Sequence, residues 1–432
     1  MINLLSSSPR GRKLAMFFLL LLAAASGLSA RTLTIVLYRP GMLSSFRELA
    51  QAFTKAHPGI RIRTLVTHGY HGSRLIQEAA YGNLPDIIQA PAYRPDFELA
   101  INGYAADLNR LRTVHKVNPD ILSGVTFQGG IIALPTAIST IGVFYNRALF
   151  HRLNLSVPHT FKELQNVTKV LRAHGITPFA SLLKDNQSLG EFLEFLHSAM
   201  LSTEGWGGAR GAEAVVQFAN AMDNGETNWG SAVNEKKLFR ILKWYAQQMS
   251  PLAVNNGLNQ EVAEFASGQA AMVFQQQDFV LTAQKAEKAL GTSFSIGAFP
   301  FPWSNNPADN KFASTAESSF VISTQSSAGQ QRAAREFLNF LASPQAIHVW
   351  TDHYKLLPAF HNVPTGNLPR AFQDIVVSED RLGSDPWEFV LCPGPTWRYA
   401  MQDGARRYLD GQKTAEEVSR EIDWSWKDHY HP

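Results

Sequence analysis

Apolar positions near the start of the chain change repeatedly between strand and helix periodicity. Residues 32–38, 60–66 and 86–89 are short runs rich in Leu, Ile and Val, which predicts three strands. Between them, residues 46–53 and 74–81 repeat apolar side chains at helical spacing. Parallel neighbours need crossover connections, and helices supply them. The order therefore predicts an α/β unit with a mostly parallel sheet.

Further elements follow in the remainder of the chain. Residues 131–134 predict a strand that ends at Pro135, and residues 142–145 predict a separate one. Residues 180–260 are expected to be largely helical. No clear linker separates these parts, so any boundary between two units is expected to consist of strands that cross more than once. The other predicted elements are extended segments at 270–274, 296–302 and 320–323, a helix at 333–341, and a last helix with Val418, Ile422 and Trp426 on one face.

Capping boxes predict where three helices begin. In this pattern a Ser or Thr precedes a Glu by three positions, and each side chain satisfies a backbone N–H of the other residue. The three pairs are Ser45 with Glu48, Thr160 with Glu163, and Thr414 with Glu417.

The first thirty residues have the organisation of a secretory signal peptide. Basic residues at positions 10–13 precede an apolar run at 14–25 and small residues at 26–30, so cleavage after Ala30 is expected. The apolar run is shorter than the ~20 residues that cross a bilayer. The single cysteine, Cys392, leaves no intramolecular disulfide partner and no lipoprotein cysteine at the cleavage site. We therefore expect an exported, periplasmic protein.

Composition excludes several classes of protein. The remaining length of about 400 residues exceeds one typical domain, and 45% hydrophobic with 17% charged residues argues against disorder. Of the 39 basic residues, three lie in the signal segment, so 36 basic and 36 acidic residues remain. This balance disfavours a nucleic-acid binder.

The order of several motifs resembles family 1 of the extracellular solute-binding proteins of ABC importers, which includes maltose-, oligosaccharide- and glycerol-phosphate-binding members. The resemblance covers nearly the whole mature chain. Its motifs are residues 32–58, 82–87 (GNLPDI), 133–135 (ALP), 142–146 (GVFYN), 157–164 (VPHTFKEL), 265–272 (FASGQAAM) and 336–344 (EFLNFLASP).

The resemblance implies a two-lobed periplasmic-binding-protein fold of type II, the Venus flytrap, with a hinge between α/β lobes. One lobe is expected at 31–141 with 296–345 returning to it, and the other at 142–295 with 346–432 completing it. The expected function is capture of a sugar or polyol between the lobes and delivery to the membrane subunits of a permease. The resemblance further implies a monomer without cofactor or metal.

Candidate ligand contacts follow from two rules. Ligands collect at the carboxyl ends of parallel strands, and sugars require polar side chains together with flat aromatic surfaces. Structural roles remain the alternative, such as covering a sheet end for Tyr38 or forming an ion pair for Glu317 and Arg398. The candidates are Tyr38, Arg39, Tyr70, Tyr93, Ser139, Thr140, Gln275, Gln276, Glu317 and Arg398.

Two alternatives to a neutral sugar binder remain open. Arg39, Arg94 or Arg398 could recognise glycerol phosphate or a related anion, although residues 355–358 (KLLP) depart from the glycerol-phosphate branch. A secreted glycan-processing enzyme would need two convergent carboxylates. The sequence shows neither a phosphate-binding loop nor a nucleophile elbow. His68 and His71 alone do not complete a metal site, so binding without catalysis is expected.

Overall fold

The strands are short, apolar segments, as the sequence patterns predict. The computed structural model describes residues 31–38, 42–67, 72–90, 98–180, 186–250, 257–353, 356–387 and 395–430. The strands in this part of the chain are β1 (Arg31–Leu37), β2 (Ile60–Val66), β3 (Ile87–Ala90), β4 (Thr126–Phe127), β5 (Gly130–Ile131), β6 (Leu134–Asn146), β7 (Thr177–Phe179), β8 (Ala270–Gln276), β9 (Ile296–Phe299), β10 (Ala313–Ile322), β11 (Leu357–Pro358) and β12 (Asp385–Pro386).

Ten of these strands form one mixed sheet with the main order β2-β1-β3-β10-β6-β8-β7. β1 pairs in parallel with both β2 and β3, which confirms the parallel unit predicted for the start of the chain. β10 runs antiparallel to β3 and β6, and β8 runs antiparallel to β6. Short strands β9 and β11 pair with β6, β12 pairs with β10, and β4 and β5 form a separate ribbon.

Helices connect and cover the strands. The described α-helices are α1 (Leu43–Ala56), α2 (Gly72–Ala80), α3 (Glu98–Ile101), α4 (Pro119–Ser123), α5 (Arg147–Arg152), α6 (Phe161–Ala173), α7 (Asn186–Glu204), α8 (Ala212–Asp223), α9 (Glu235–Ala246), α10 (Leu258–Ala266), α11 (Phe279–Leu290), α12 (Ala328–Phe340), α13 (Pro344–His348), α14 (Arg370–Leu382), α15 (Pro395–Leu409) and α16 (Ala415–Tyr430). Three of them, α7 to α9, confirm the helical character predicted for residues 180–260.

Two of the three predicted capping boxes are present. Thr160 and Glu163 exchange both bonds at the start of α6, and Thr414 with Glu417 does the same before α16. The prediction at Ser45 is wrong, because α1 already begins at Leu43 and Ser45 lies inside its first turn.

The predicted break after Pro135 is also wrong. β6 is one continuous strand of 13 residues, and all of them are buried. Proline lacks a backbone N–H, which a strand tolerates near its first residue. Pro135 is the second residue of β6, so it begins the strand without interrupting the ladder.

Two hydrophobic cores pack against the sheet, and β6 and β10 contribute to both. In the first core, the ring of Phe337 lies 5.1 Å from that of Phe53. In the second, Phe192 stacks on Tyr245 at 4.2 Å. β6 places Leu134 in the first core and Val143 in the second, and β10 likewise contributes to each. We call β6 and β10 the crossing strands.

A buried carboxyl group bridges the crossing strands. Glu379 of α14 accepts hydrogen bonds from the hydroxyl of Ser314 on β10 and, at 3.5 Å, from that of Thr140 on β6. The two hydroxyl oxygens lie 2.8 Å apart. Burial raises the pKa of Glu379 to about 7, although both hydroxyls favour the ionised form.

A second buried carboxyl group lies beside the same segment. Asp385 of β12 pairs with Ala313 of β10 and accepts a hydrogen bond of 2.7 Å from the Ser202 hydroxyl. Burial raises the pKa of Asp385 to about 7. Two buried acids with pKa values raised to about 7 therefore lie beside residues 313–314 of β10.

A substitution at Gly142 tests how tightly the crossing strands are packed. A Cβ at this position would lie 2.5 Å from Cε1 of Phe312, whose ring is fully buried. Gly142→Ala is therefore expected to lower the unfolding free energy by about 1–3 kcal/mol through overpacking, measured by chemical denaturation. Gly59→Ala is the control, because no atom lies within 4 Å of the added Cβ. Equal effects of the two substitutions would contradict the packing argument.

Glu379 predicts a specific pH dependence. The folded protein holds this proton more tightly than the unfolded chain, so the stabilisation is full below the ordinary pKa of 4.5 and is lost as the pH rises through about 7. Glu379→Gln should therefore raise the unfolding free energy relative to wild type by about 1–3 kcal/mol at pH 8, with a smaller gain at pH 5. Denaturation at both pH values measures this difference. The exposed Glu416→Gln variant is the control, and a gain from Glu379→Gln that does not depend on pH would refute the prediction.

Candidate functional site

The carboxyl ends of β1, β2 and β3 lie at one edge of the sheet, where ligands of α/β proteins collect. The connections that follow these strands, at residues 39–41, 68–71 and 91–97, lie outside the described residues. Arg39, Tyr70 and Tyr93 fall in these connections, and so does the alternative anion contact Arg94. These residues therefore stay sequence predictions.

Tyr38 and Glu317 are brought together at this edge. The Tyr38 hydroxyl donates a hydrogen bond of 2.9 Å to the backbone carbonyl of Glu317. The Tyr38 N–H donates to Gln89 Oε1 at 3.2 Å, and Gln89 Nε2 donates to the Ser318 hydroxyl at 2.9 Å. Gln89 thus links β1 to β10 through β3, and both predicted residues belong to this network.

A bulge in β10 presents Glu317. The ladder between β10 and β6 shifts register between Ala316 and Ser318, so Glu317 is an extra residue on β10. Bulges redirect side chains locally and are frequent near functional sites. Glu317 is half-buried and falls outside the regular alternation of the strand, and its backbone carbonyl accepts the Tyr38 hydroxyl.

Strand register separates the polar residues of the crossing strands into two faces. Ser139 pairs with Thr315, and Gln276 pairs with Ile141, which is two residues from Ser139. Directly opposite residues share a face, and alternate residues return to it. Ser139, Thr315 and Gln276 therefore share one face, which we call the Ser139 face. Thr140, Ser314 and Gln275 share the other, the Thr140 face.

Polar groups on the Thr140 face are engaged within the protein. Thr140 contacts Glu379 as described above, and Gln275 Nε2 donates a hydrogen bond of 3.0 Å to Glu261 Oε2. Burial raises the pKa of Glu261 to about 8, the Gln275 amide opposes this shift, and the nearby charge of Glu191 adds to it. Thr140 and Gln275 thus have partners that account for their polarity.

The Ser139 face contains polar side chains that are available for ligand contact. The Thr315 hydroxyl is buried and has no hydrogen-bond partner among the described residues. Ser139 is 5% exposed and Gln276 is half-buried beside it. Buried hydroxyls in proteins are normally paired, so such a group indicates a place for water or ligand. This face is the best candidate for ligand contact in the described part of the crossing strands.

Arg398 belongs to α15 and not to the crossing strands. It is half-buried on α15, and α15 packs closely against α7, since a Cβ at Gly190 would lie 2.5 Å from Gln402 Cγ. The preceding Trp397 is fully buried and meets Trp426 edge to face at 5.4 Å. The structure thus anchors the backbone of Arg398 firmly.

Sequence reasoning missed Gln89 as a residue of the site. Gln89 was visible as a polar residue at the end of an apolar strand, and it is 1% exposed. Thr315 is indistinguishable from other strand threonines until its pairing with Ser139 is known. Across the described ranges, no three His, Cys, Asp or Glu residues are arranged to hold a metal ion. None of the helices described is both long and apolar enough to cross a membrane.

Comparisons with known proteins agree with this architecture. A family model described as bacterial extracellular solute-binding protein matches residues 39–347. The multiple sugar-binding protein of Streptococcus mutans is 20% identical over 318 residues, which cover 72% of this chain and 71% of that protein. The melibiose/raffinose/stachyose-binding protein of Bacillus subtilis is 20% identical over 348 residues, which cover 78% of this chain and 77% of that protein.

The fold is similar to that of solved structures as well. The apo form of RafE from Streptococcus pneumoniae superposes with a TM-score of 0.77 at 16% identity, covering 93% of this chain and 99% of that chain. The family match spans well over half of the sequence, and the structural match spans nearly all of it. The chain therefore belongs to the bacterial extracellular solute-binding proteins and has their two-lobed α/β fold.

Proposed function

We propose that the protein is the sugar-binding component of an ABC importer and that it captures a neutral sugar or polyol between its lobes. The single observation that carries this proposal is the Ser139 face, with its unpartnered Thr315 hydroxyl and the Gln276 amide. Neutral hydroxyl and amide groups suit the hydroxyls of a sugar. The relatives from Streptococcus mutans and Bacillus subtilis, both named for sugars, support the same class of ligand.

The charges nearby favour a neutral ligand over a phosphorylated one. Glu317 lies on the bulge of β10, where its backbone carbonyl accepts the Tyr38 hydroxyl and its side chain carries a carboxyl group. Carboxyl groups accept hydrogen bonds from sugar hydroxyls, whereas an ionised carboxylate repels a phosphate.

Export and delivery complete the proposal. The sequence at residues 1–30 would direct the chain to the periplasm, where the liganded protein, acting as a monomer, would meet the permease. Ligand contacts to both lobes would lower the free energy of the closed form. We keep the lobe boundaries 31–141 with 296–345 and 142–295 with 346–432 as proposals.

Two adjacent glutamines test the assignment of the site. Gln276→Ala should weaken sugar binding about tenfold by removing a hydrogen bond to ligand, whereas Gln275→Ala should lower stability and leave affinity nearly unchanged. A thermal-shift screen with raffinose, melibiose, galactose and polyols identifies the ligand, and calorimetry then compares the variants. A larger loss of affinity in Gln275→Ala would refute our choice of face.

Turnover distinguishes a binding protein from a glycan-processing enzyme. The sugar found in the screen should remain chemically unchanged after prolonged incubation with the protein, as monitored by NMR. Product formation that Glu317→Gln abolishes would overturn the proposal in favour of a hydrolase with convergent carboxylates.

A further inference from the structure

An open groove of about 820 Å³ lies at the far end of β6 from the Ser139 face. Its walls are α14, β9 and the segment that leads into α6. Tyr145 in this groove is six residues along β6 from Ser139, which is roughly 20 Å at about 3.3 Å per residue. The groove is therefore a different place from the proposed sugar site.

The groove contains more cationic than anionic side chains. Arg147, Arg370 and Arg381 line it, and His159 lies at its edge, against the two acids Asp374 and Glu163. Guanidinium groups carry five donors each and bind carboxylate or phosphate oxygens in pairs. This composition indicates an anionic ligand.

Both acids are already committed to partners in the protein. Asp374 forms ion pairs with Arg147 and Arg370 and accepts a hydrogen bond of 3.1 Å from the Ala298 N–H. Glu163 accepts the N–H groups of His159 and Thr160 at 2.7 and 3.1 Å in its capping box. Two guanidinium groups thus share one carboxylate, so donors remain for a ligand.

Arg147 is fixed by its neighbours, and one of its N–H donors forms no hydrogen bond with the described residues. Its Nε is buried without a hydrogen-bond partner in the described structure. Its guanidinium carbon lies 5.5 Å from the centroid of the Tyr145 ring. Gly297 makes room for this arrangement, since a Cβ there would lie 2.7 Å from Arg147 Nε and 2.4 Å from Tyr145 Cε1. The side chain is therefore preorganised and needs little reordering to bind.

One face of α14 continues the groove. Arg370, Asp374, Val377 and Arg381 recur at spacings of four, three and four residues and all line it. Val377 is 67% exposed between the charged groups. The face thus offers an apolar surface with a guanidinium group near each end.

We propose that this groove binds a small organic polyanion, a molecule with two or more carboxylate or phosphate groups on a short carbon skeleton. Arg147 and Arg370 bind one anionic group, Arg381 binds another, and Val377 contacts the skeleton between them. The occupant bridges α14 and β9. This proposal does not depend on the identity of the sugar.

Calorimetry on the mature chain tests the proposal with citrate and, separately, inorganic phosphate, each at an ionic strength matched with sodium chloride. We expect citrate to bind at one site and more tightly than phosphate. Arg381→Gln should weaken citrate binding about tenfold by removing charge-assisted hydrogen bonds. Arg240→Gln removes the same charge from an exposed position on α9 and should leave affinity unchanged. Equal losses in both variants, or no binding beyond the sodium chloride control, would overturn the proposal.

Two further variants keep the test independent of folding and of the sugar site. Val377→Asp places a negative charge in the groove at an exposed position, so the fold should persist while citrate binding is lost. Gln276→Ala should leave citrate binding intact. Undiminished binding to Val377→Asp, or loss of binding in Gln276→Ala, would show that citrate binds elsewhere and would overturn the proposal.

Discussion

The antiparallel pairing of β6 with β10 is the constraint on which the rest of the structure depends. These strands occupy the centre of the sheet and contribute side chains to both hydrophobic cores. Because strand side chains alternate between faces, one register decides the surroundings of every polar residue on them. A slip of β10 by one residue would exchange Thr315 with Ser314, and a slip of β6 would exchange Ser139 with Thr140. The proposed ligand contacts and the internal hydrogen bonds of these strands therefore depend on the same ladder.

The buried polar groups of the two faces differ in whether they have hydrogen-bond partners within the described protein. On the Thr140 face, hydroxyl and amide groups end on Glu379 and Glu261, whose pKa values burial raises to about 7 and about 8. On the Ser139 face, the Thr315 hydroxyl stays unpartnered among the described residues. A buried donor without a partner costs free energy, and a bound hydroxyl would recover it. At the proposed site, polarity that lowers the stability of the unliganded protein would thereby favour binding.

Several features that depend only on residues close together in the sequence were predicted correctly. The parallel unit of β1, β2 and β3 followed from periodicity, and the capping box at Thr160 followed from its spacing. The sequence predicted two short strands in place of β6, because a proline is typical of a strand end. In the structure, burial of all 13 residues stabilises one continuous strand. The strand-end rule reached Tyr38 and the glutamines, but it could not separate Gln275 from Gln276. That distinction depends on pairing with residues about 135 positions away, which no local pattern contains.

The bulge at Glu317 shows how β10 can contribute both to the hydrophobic cores and to the proposed ligand site. One register shift adds Glu317 to β10, and a second, between Ser318 and Ser319, adds Thr136 to β6. The Thr136 hydroxyl donates to the Ser318 carbonyl at 3.1 Å within this irregularity. Because the two shifts offset each other, the pairing on either side keeps one register. The Glu317 carbonyl can thus accept the Tyr38 hydroxyl without exchanging the faces of β10, so β10 keeps its side chains in both cores.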